Sequence, residues 1–113
     1  MAAEKRPWGG YEILFKGNGF QVKRVEVAPG LRLSLQKHLK RAEKWIFVEG
    51  AGDVILGEKK IPVAPGSFAE VPAGEIHRVH NTGKKPLVFI EVQLGNYLGE
   101  DDIVRLEDDF ARV

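Results

Sequence analysis

The sequence predicts an all-β sandwich or barrel, and three observations carry that prediction. Thirteen glycines and six prolines punctuate the chain at fairly regular intervals. The runs between them are short and rich in β-branched and aromatic residues. Within those runs apolar and polar residues alternate with period two, as they do in a strand with one buried face, and helical periodicity is almost absent ahead of the tail. At 113 residues the chain is expected to be a single domain spanning 1–113, large enough for a hydrophobic core without cross-links.

Taken in order, Arg6-Pro7-Trp8-Gly9-Gly10 is a turn-rich opening and Tyr11 to Phe15 reads as a first strand. Lys16-Gly17-Asn18-Gly19 forms a hairpin turn, because Asn and Gly tolerate positive φ at little cost. Phe20 to Val27 follows as a strand whose core face carries Lys23, Val25 and Val27. A lysine on that face is costly unless it lines a wet pocket. After the turn at Ala28-Pro29-Gly30, the strand from Arg32 to His38 places Ser34, Gln36 and His38 on one face and Leu33, Leu35 and Leu39 on the other. Lys44 to Glu49 keeps Glu43, Trp45 and Phe47 in register, with Ile46 and Val48 opposite. Short strands are expected at 53–56, 60–63, 67–71 and 76–80, and Leu87 to Leu94 is the last clear one. The tail, Glu100-Asp101-Asp102 ahead of Ile103 to Leu106, fits either a helical turn or a closing strand.

Composition narrows the function. With 17 basic and 16 acidic residues the net charge is +1, which gives no reason to expect nucleic-acid binding. There is no cysteine, so neither disulfides nor a thiolate metal site can form, and a cytoplasmic setting suits the chain. The charged start, Met1-Ala-Ala-Glu-Lys-Arg-Pro-Trp8, lacks the apolar core of a signal peptide, and no apolar run is long enough to span a membrane. Strands with two apolar faces suggest a homodimer, with Trp8 pinning the N-terminal arm onto the neighbouring subunit.

Candidate chemistry begins at Gly30 to Glu43. In an extended strand Gln36 and His38 point the same way, about 7 Å apart; Glu43 can join them after a short turn, and His77 supplies a fourth ligand from the second half. Imidazole nitrogens, a carboxylate and an amide oxygen make a mixed N/O site for a divalent metal ion: Zn, Mn, Fe, Co or Ni. Glutamine is a harder, weaker ligand than histidine, which reduces any preference for copper or nickel.

The spacings G30-x5-Q36-x-H38-x4-E43-x6-G50 and G66-x5-P72-x-G74-x2-H77-x3-N81 resemble the two signature motifs of the cupin superfamily, with glutamine in place of the first histidine. The resemblance implies a double-stranded β-helix, or jelly-roll, barrel of six to ten strands around the metal. Arg-Pro-Trp-Gly-x-Tyr at 6–11, Val-Lys-Arg at 22–24, Leu-Ser-Leu-Gln-x-His at 33–38, Arg-Ala-Glu-x-Trp at 41–45 and the segment from Ile90 to Arg105 are together similar to the type II mannose-6-phosphate isomerase domain. That domain usually forms the C-terminal part of bifunctional guanylyltransferase/isomerase enzymes. The similarity runs from Arg6 to Arg112. It implies an aldose–ketose isomerase of phosphosugars acting through an enediol, with Gln36, His38, Glu43 and His77 on the metal.

For that chemistry Glu91 and Lys23 are the candidate proton carriers. Arg105 and Arg41 are the candidate phosphate clamp, with Arg24 and Arg32 in reserve. The histidine that often follows the ligand glutamate in this family is Lys44 here, and the usual Tyr-Gly-Arg ending is Phe110-Ala111-Arg112. No glycine-rich nucleotide loop is present, so this stretch by itself is not expected to make GDP-mannose. Bland readings stand beside these. His80 is a surface or hydrogen-bonded residue, Trp45 and Phe47 are core, Glu100-Asp101-Asp102 is a solvated turn, and Lys23 pairs with Glu91. The other function classes are a metal-dependent cupin with another substrate (a dioxygenase, a decarboxylase or another sugar isomerase) and a sugar-binding module without turnover.

Overall fold

Alternation along three long strands decides what the barrel encloses. The computed structural model describes residues 3–110 and contains no helix among them. Its eleven strands are β1 (Ala3–Arg6), β2 (Gly9–Lys16), β3 (Phe20–Val27), β4 (Leu35–Lys37), β5 (Ala42–Glu49), β6 (Gly52–Leu56), β7 (Lys59–Val63), β8 (Phe68–Val71), β9 (His77–His80), β10 (Leu87–Leu94) and β11 (Val104–Glu107). They form a six-stranded sheet ordered β1-β2-β3-β10-β5-β8 and a five-stranded sheet ordered β11-β4-β9-β6-β7. Two sheets closing over one core are the jelly-roll answer to exposed strand edges. The strand count exceeds the six to ten expected because β1 extends the larger sheet by pairing Ala3–Arg6 with Gly9–Glu12.

The antiparallel register across β3, β10 and β5 stacks inward residues in rows. Val25, Phe89 and Phe47 make an apolar row; Lys23, Glu91 and Trp45 make the next; Gln21, Gln93 and Glu43 make a polar one. All nine are buried. One end of the barrel is therefore a hydrophobic core and the other a lined polar cavity, both dictated by period-two side-chain direction. Outward residues Ile46 and Val48 remain 43% and 44% exposed.

Several expectations change. The strand read from Arg32 to His38 is regular only over Leu35–Lys37, with Arg32 making an isolated bridge to His80. Alternation consequently lapses before β4, where the adjacent Leu33 and Ser34 both line the pocket, while Leu39 is 58% exposed. The tail closes as a strand, since β11 pairs Val104 and Arg105 with Lys37 and Gln36. Trp8 does not reach outward to pin an arm on a neighbour; it lies in this chain's own core, and its carbonyl accepts the Ala28 N–H at 2.9 Å. Ala111 and Arg112 of the expected C-terminal match lie outside the described residues.

Motif residues also serve the fold. Gly50 holds φ at +76°, and a Cβ there would meet the Pro86 carbonyl oxygen at 2.4 Å, so only glycine fits. Asn81 is fully buried; its Nδ2 donates to the Val27 and Lys85 carbonyls at 2.9 and 2.8 Å, and its Oδ1 accepts from the Gly83 N–H at 2.9 Å. Removing it strands three backbone groups. Asn81→Ala is expected to cost about 3 kcal/mol or more, read as a lowered urea midpoint with unchanged m-value; an unchanged midpoint would show that water satisfies these groups instead.

Candidate metal centre and ligand pocket

Three loops or strands deliver the polar end of the barrel. His38 follows β4, Glu43 projects inward from β5, and His77 opens β9; each is no more than 3% exposed. One potential ligand atom from each lies within 4.8 Å of the others. Second partners set the tautomers. His38 Nδ1 is 3.1 Å from the Asp102 carbonyl oxygen and His77 Nδ1 is 2.9 Å from that of Glu75. A carbonyl only accepts, so both Nδ1 atoms carry the proton and both Nε2 atoms present a lone pair to the cluster, that of His38 now accepting from Gln36 and Arg41. Burial, the Arg41 guanidinium and neighbouring His77 push His38 down to about 4, and burial lowers His77 as well. Both imidazoles are neutral near pH 7, the form that binds metal.

The residues fit a divalent metal on this structure's own terms. His77 Nε2 is buried with no hydrogen-bond partner, an arrangement that is costly in a protein interior and resolved by a ligated cation. His38, Glu43 and His77 would hold it. Gln36 stands beside them with Nε2 at 3.2 Å from His38 Nε2 and Oε1 accepting from the Ser34 hydroxyl. Serving as a fourth ligand requires the amide to turn over, which puts Oε1 inward and lets Nε2 donate to Ser34. The guanidinium of Arg41 now touches the same groups: Nε donates to Glu43 Oε2 at 2.8 Å and Nη2 is 3.3 Å from His38 Nε2.

Glu91 adjoins this cluster. Trp45 Nε1 donates to both Glu43 Oε1 and Glu91 Oε1, at 3.0 and 3.1 Å, and Gln93 Nε2 donates to Glu91 Oε2 at 2.8 Å. Burial, and then the charge of Glu43, raise Glu91 to about 8. Trp45 is thus core, as expected, and a hydrogen-bond bridge as well.

Lys23 faces the cavity as the alternation requires, but its ammonium group reaches Glu100 Oε1 at 3.1 Å and lies 4.1 Å from the centre of the Tyr11 ring. It does not form the expected pair with Glu91. Arg41 and Arg105 both line the pocket. Arg24 instead pairs with Glu26 at 3.2 Å on the outer face, and Arg32 holds Asp109 with bonds of 2.7 and 2.9 Å; neither lines it. Lys44 points outward beside Glu70, so the departure at that position does not touch the cavity.

Sequence reasoning missed Arg6, Tyr11 and Arg78, which line the pocket, and misread the acidic turn. Glu100 pairs with two buried cations, and Asp102 is buried, accepting the Leu39 and Lys40 N–H groups at 3.1 and 2.8 Å. Those bonds position the chain next to His38.

A double-sheet barrel with a His/Glu/His cluster inside one end defines a cupin, and solved structures agree on the fold. The structure superimposes on oxalate decarboxylase from Lactobacillus farciminis with a TM-score of 0.80 at 22% identity, covering 93% of this chain and 33% of that one. It matches the capsular polysaccharide assembling protein CapF from Staphylococcus aureus with a TM-score of 0.81 at 20% identity, covering 94% and 32%. Within the cupins, the chain belongs to the family described as mannose-6-phosphate isomerase C-terminal, whose model matches residues 2–108. Relatives include xanthan biosynthesis protein XanB of Xanthomonas campestris, 51% identical over 95% of this chain and 23% of that protein. The alginate biosynthesis protein AlgA of Pseudomonas aeruginosa is 50% identical over 95% and 22%. A mannose-1-phosphate guanylyltransferase of Sinorhizobium fredii is 45% identical over 92% and 20%. The chain thus spans about a fifth of the length of these relatives.

Proposed function

We propose that this pocket interconverts mannose 6-phosphate and fructose 6-phosphate. The observation that carries the reading is one cavity lined by a His/Glu/His cluster, the buried Glu91 carboxyl group and several cations. A divalent metal on His38, Glu43, His77 and a turned Gln36 would supply Lewis-acid stabilisation of charge on the sugar O1 and O2.

The proton moves between C2 and C1, and Glu91 is placed to carry it. In the metal-free pocket burial and the Glu43 charge raise Glu91 to about 8, and a cation on Glu43 would draw it down from there toward the range in which both the acid and its conjugate base are accessible. Trp45 and Gln93 fix the carboxyl group by its two oxygens, and 7% exposure keeps bulk water from exchanging the abstracted proton. Arg41 and Arg105 suit the phosphate end through planar forks. An oxygenase or decarboxylase acting on a less charged substrate would favour an apolar lining; the cations favour a phosphorylated one. The relatives' names, which concern alginate, xanthan and mannose 1-phosphate, support phosphosugar metabolism.

The test is a coupled assay of mannose 6-phosphate conversion with metal restored to the stripped protein, beside His38→Ala. Wild type should turn over and His38→Ala should lose both metal and activity. A wild type that binds metal and shows no turnover overturns the isomerase reading. Absence of hydrogen exchange at C2 despite sugar binding would favour a binding module.

A further inference from the structure

Two cations are buried in the pocket wall far more deeply than the Glu100 carboxylate that bridges them. The side chains of Lys23 and Arg41 are 4% and 3% exposed, whereas that of Glu100 is 41% exposed. Glu100 belongs to neither sheet. It sits in the turn between β10 and β11 and reaches in, giving Oε1 to Lys23 at 3.1 Å and Oε2 to Arg41 Nη1 at 3.3 Å. Burial alone would raise its carboxyl, but Lys23 and Arg41 outweigh that and hold it below its ordinary value.

Buried cations without an anion are expensive, and truncating one partner of such a pair is strongly destabilising. Arg41 keeps the buried Glu43 carboxylate at 2.8 Å, so it is Lys23 and the outer face of the Arg41 guanidinium that call for a further anion, and their location in a ligand pocket does not require that it come from the protein. Resting on the phosphosugar reading, we propose that Lys23 and Arg41 form the phosphoryl subsite and that Glu100 is its internal occupant, displaced when the substrate phosphate enters.

Three features make the exchange balanced. A phosphoryl group presents two oxygens to the same two donors, with a third left for Arg105 or Tyr11, which line the same cavity. Arg41 spans the distance between subsite and centre, since its Nε holds Glu43 while its Nη1 holds Glu100. The turn is anchored on its far side by Asp102, through the Leu39 and Lys40 N–H groups, so Glu100 can leave without loosening His38. Lys23 thereby changes from a candidate proton carrier to an anion-binding residue.

An internal occupant reduces apparent affinity by the fraction of time the site is free. If Glu100 holds the subsite for about nine-tenths of the time, Glu100→Gln should bind inorganic phosphate and mannose 6-phosphate about tenfold more tightly than wild type by calorimetry. Binding of unphosphorylated mannose should be the same in wild type and Glu100→Gln. Glu100→Gln leaves the buried Lys23 without its carboxylate, so its melt is read beside its binding, and the second informative variant is the double Lys23→Met, Glu100→Gln, which removes one charge of each sign. It should remain folded by melting and lose the phosphate affinity gained in Glu100→Gln. Equal phosphate binding in wild type and Glu100→Gln, or full binding in the double variant, overturns the subsite. Phosphate binding needs no turnover, so an inactive but Glu100-sensitive protein would fail the isomerase reading and keep this one.

Discussion

His77→Phe is expected to lower divalent metal affinity by roughly 10²–10³-fold while leaving the chelator-treated protein close to wild-type stability. The first figure follows from dividing the roughly 10–16 kcal/mol of a well-formed four-ligand site among its ligands, which leaves about 2.5–4 kcal/mol for one, at about 1.4 kcal/mol per decade. The second follows from two opposed terms. Phenylalanine loses the Nδ1–H bond to the Glu75 carbonyl, worth about 1 kcal/mol, but it also removes the orphaned Nε2, worth about 1–3 kcal/mol. The ring keeps its volume against Trp45 and His38, whose centres lie 5.6 and 5.1 Å away, so no cavity opens. A metal titration paired with a thermal melt separates the outcomes. Strong destabilisation with unchanged metal affinity would make His77 a core residue, and the site would then be elsewhere.

Much of this arrangement is legible before folding, and the reasons are local. Lys23, Glu43, Trp45 and Glu91 sit on inward faces because strict period two in β3, β5 and β10 leaves them nowhere else to point. His38 and His77 are found by spacing, since the turns before and after them hold the two halves together; the Gly74 N–H donates to the His38 carbonyl at 2.6 Å. What local pattern could not reveal is the role of Glu100 and Asp102. An acidic triplet after a strand reads as solvated on its own terms. Its meaning depends on the jelly-roll connection, which lays the β10–β11 turn across the mouth of a cavity built from β3 and the segment ahead of β5. Trp8 escapes local pattern for the same reason: its place in the core cluster that also holds Val25 and Val27 is set by the closing of the barrel.

The pH dependence of stability offers a second large effect, because two sets of groups in the metal-free pocket oppose one another. His38 and His77 are depressed in the folded state. The unfolded chain therefore binds more protons, and their contribution to stability rises with pH until the unfolded histidines have titrated, near 6.5. Glu91 acts in the other sense. Its folded value of about 8 against an ordinary 4.5 means that the folded state holds the proton, so stability is greatest below the ordinary value and is lost as pH rises to about 8. Above pH 6.5 the unfolded histidines lose their remaining half-protons over about one further unit, and the descent that then emerges belongs to Glu91, which faces Glu43 from β5 and Lys23 from β3 with Arg41 close by. That 1.5-unit window corresponds to on the order of 2 kcal/mol.

Glu91→Gln should abolish the descent between pH 6.5 and 8. The substitution is accommodated by turning amides: Gln93 presents its oxygen to the new Nε2, and Gln21, which now donates to Gln93 Oε1 at 3.2 Å, turns to accept from Gln93 in return. Trp45 keeps its acceptor. Chelator-treated wild type and variant, unfolded in urea at half-unit pH steps, should have midpoints that diverge progressively from about pH 4.5 to about 8, the variant gaining on the wild type throughout. Parallel curves would show that Glu91 is ionised at neutral pH in the folded protein, and with that the carboxylic acid assigned to proton transfer would lose its physical basis.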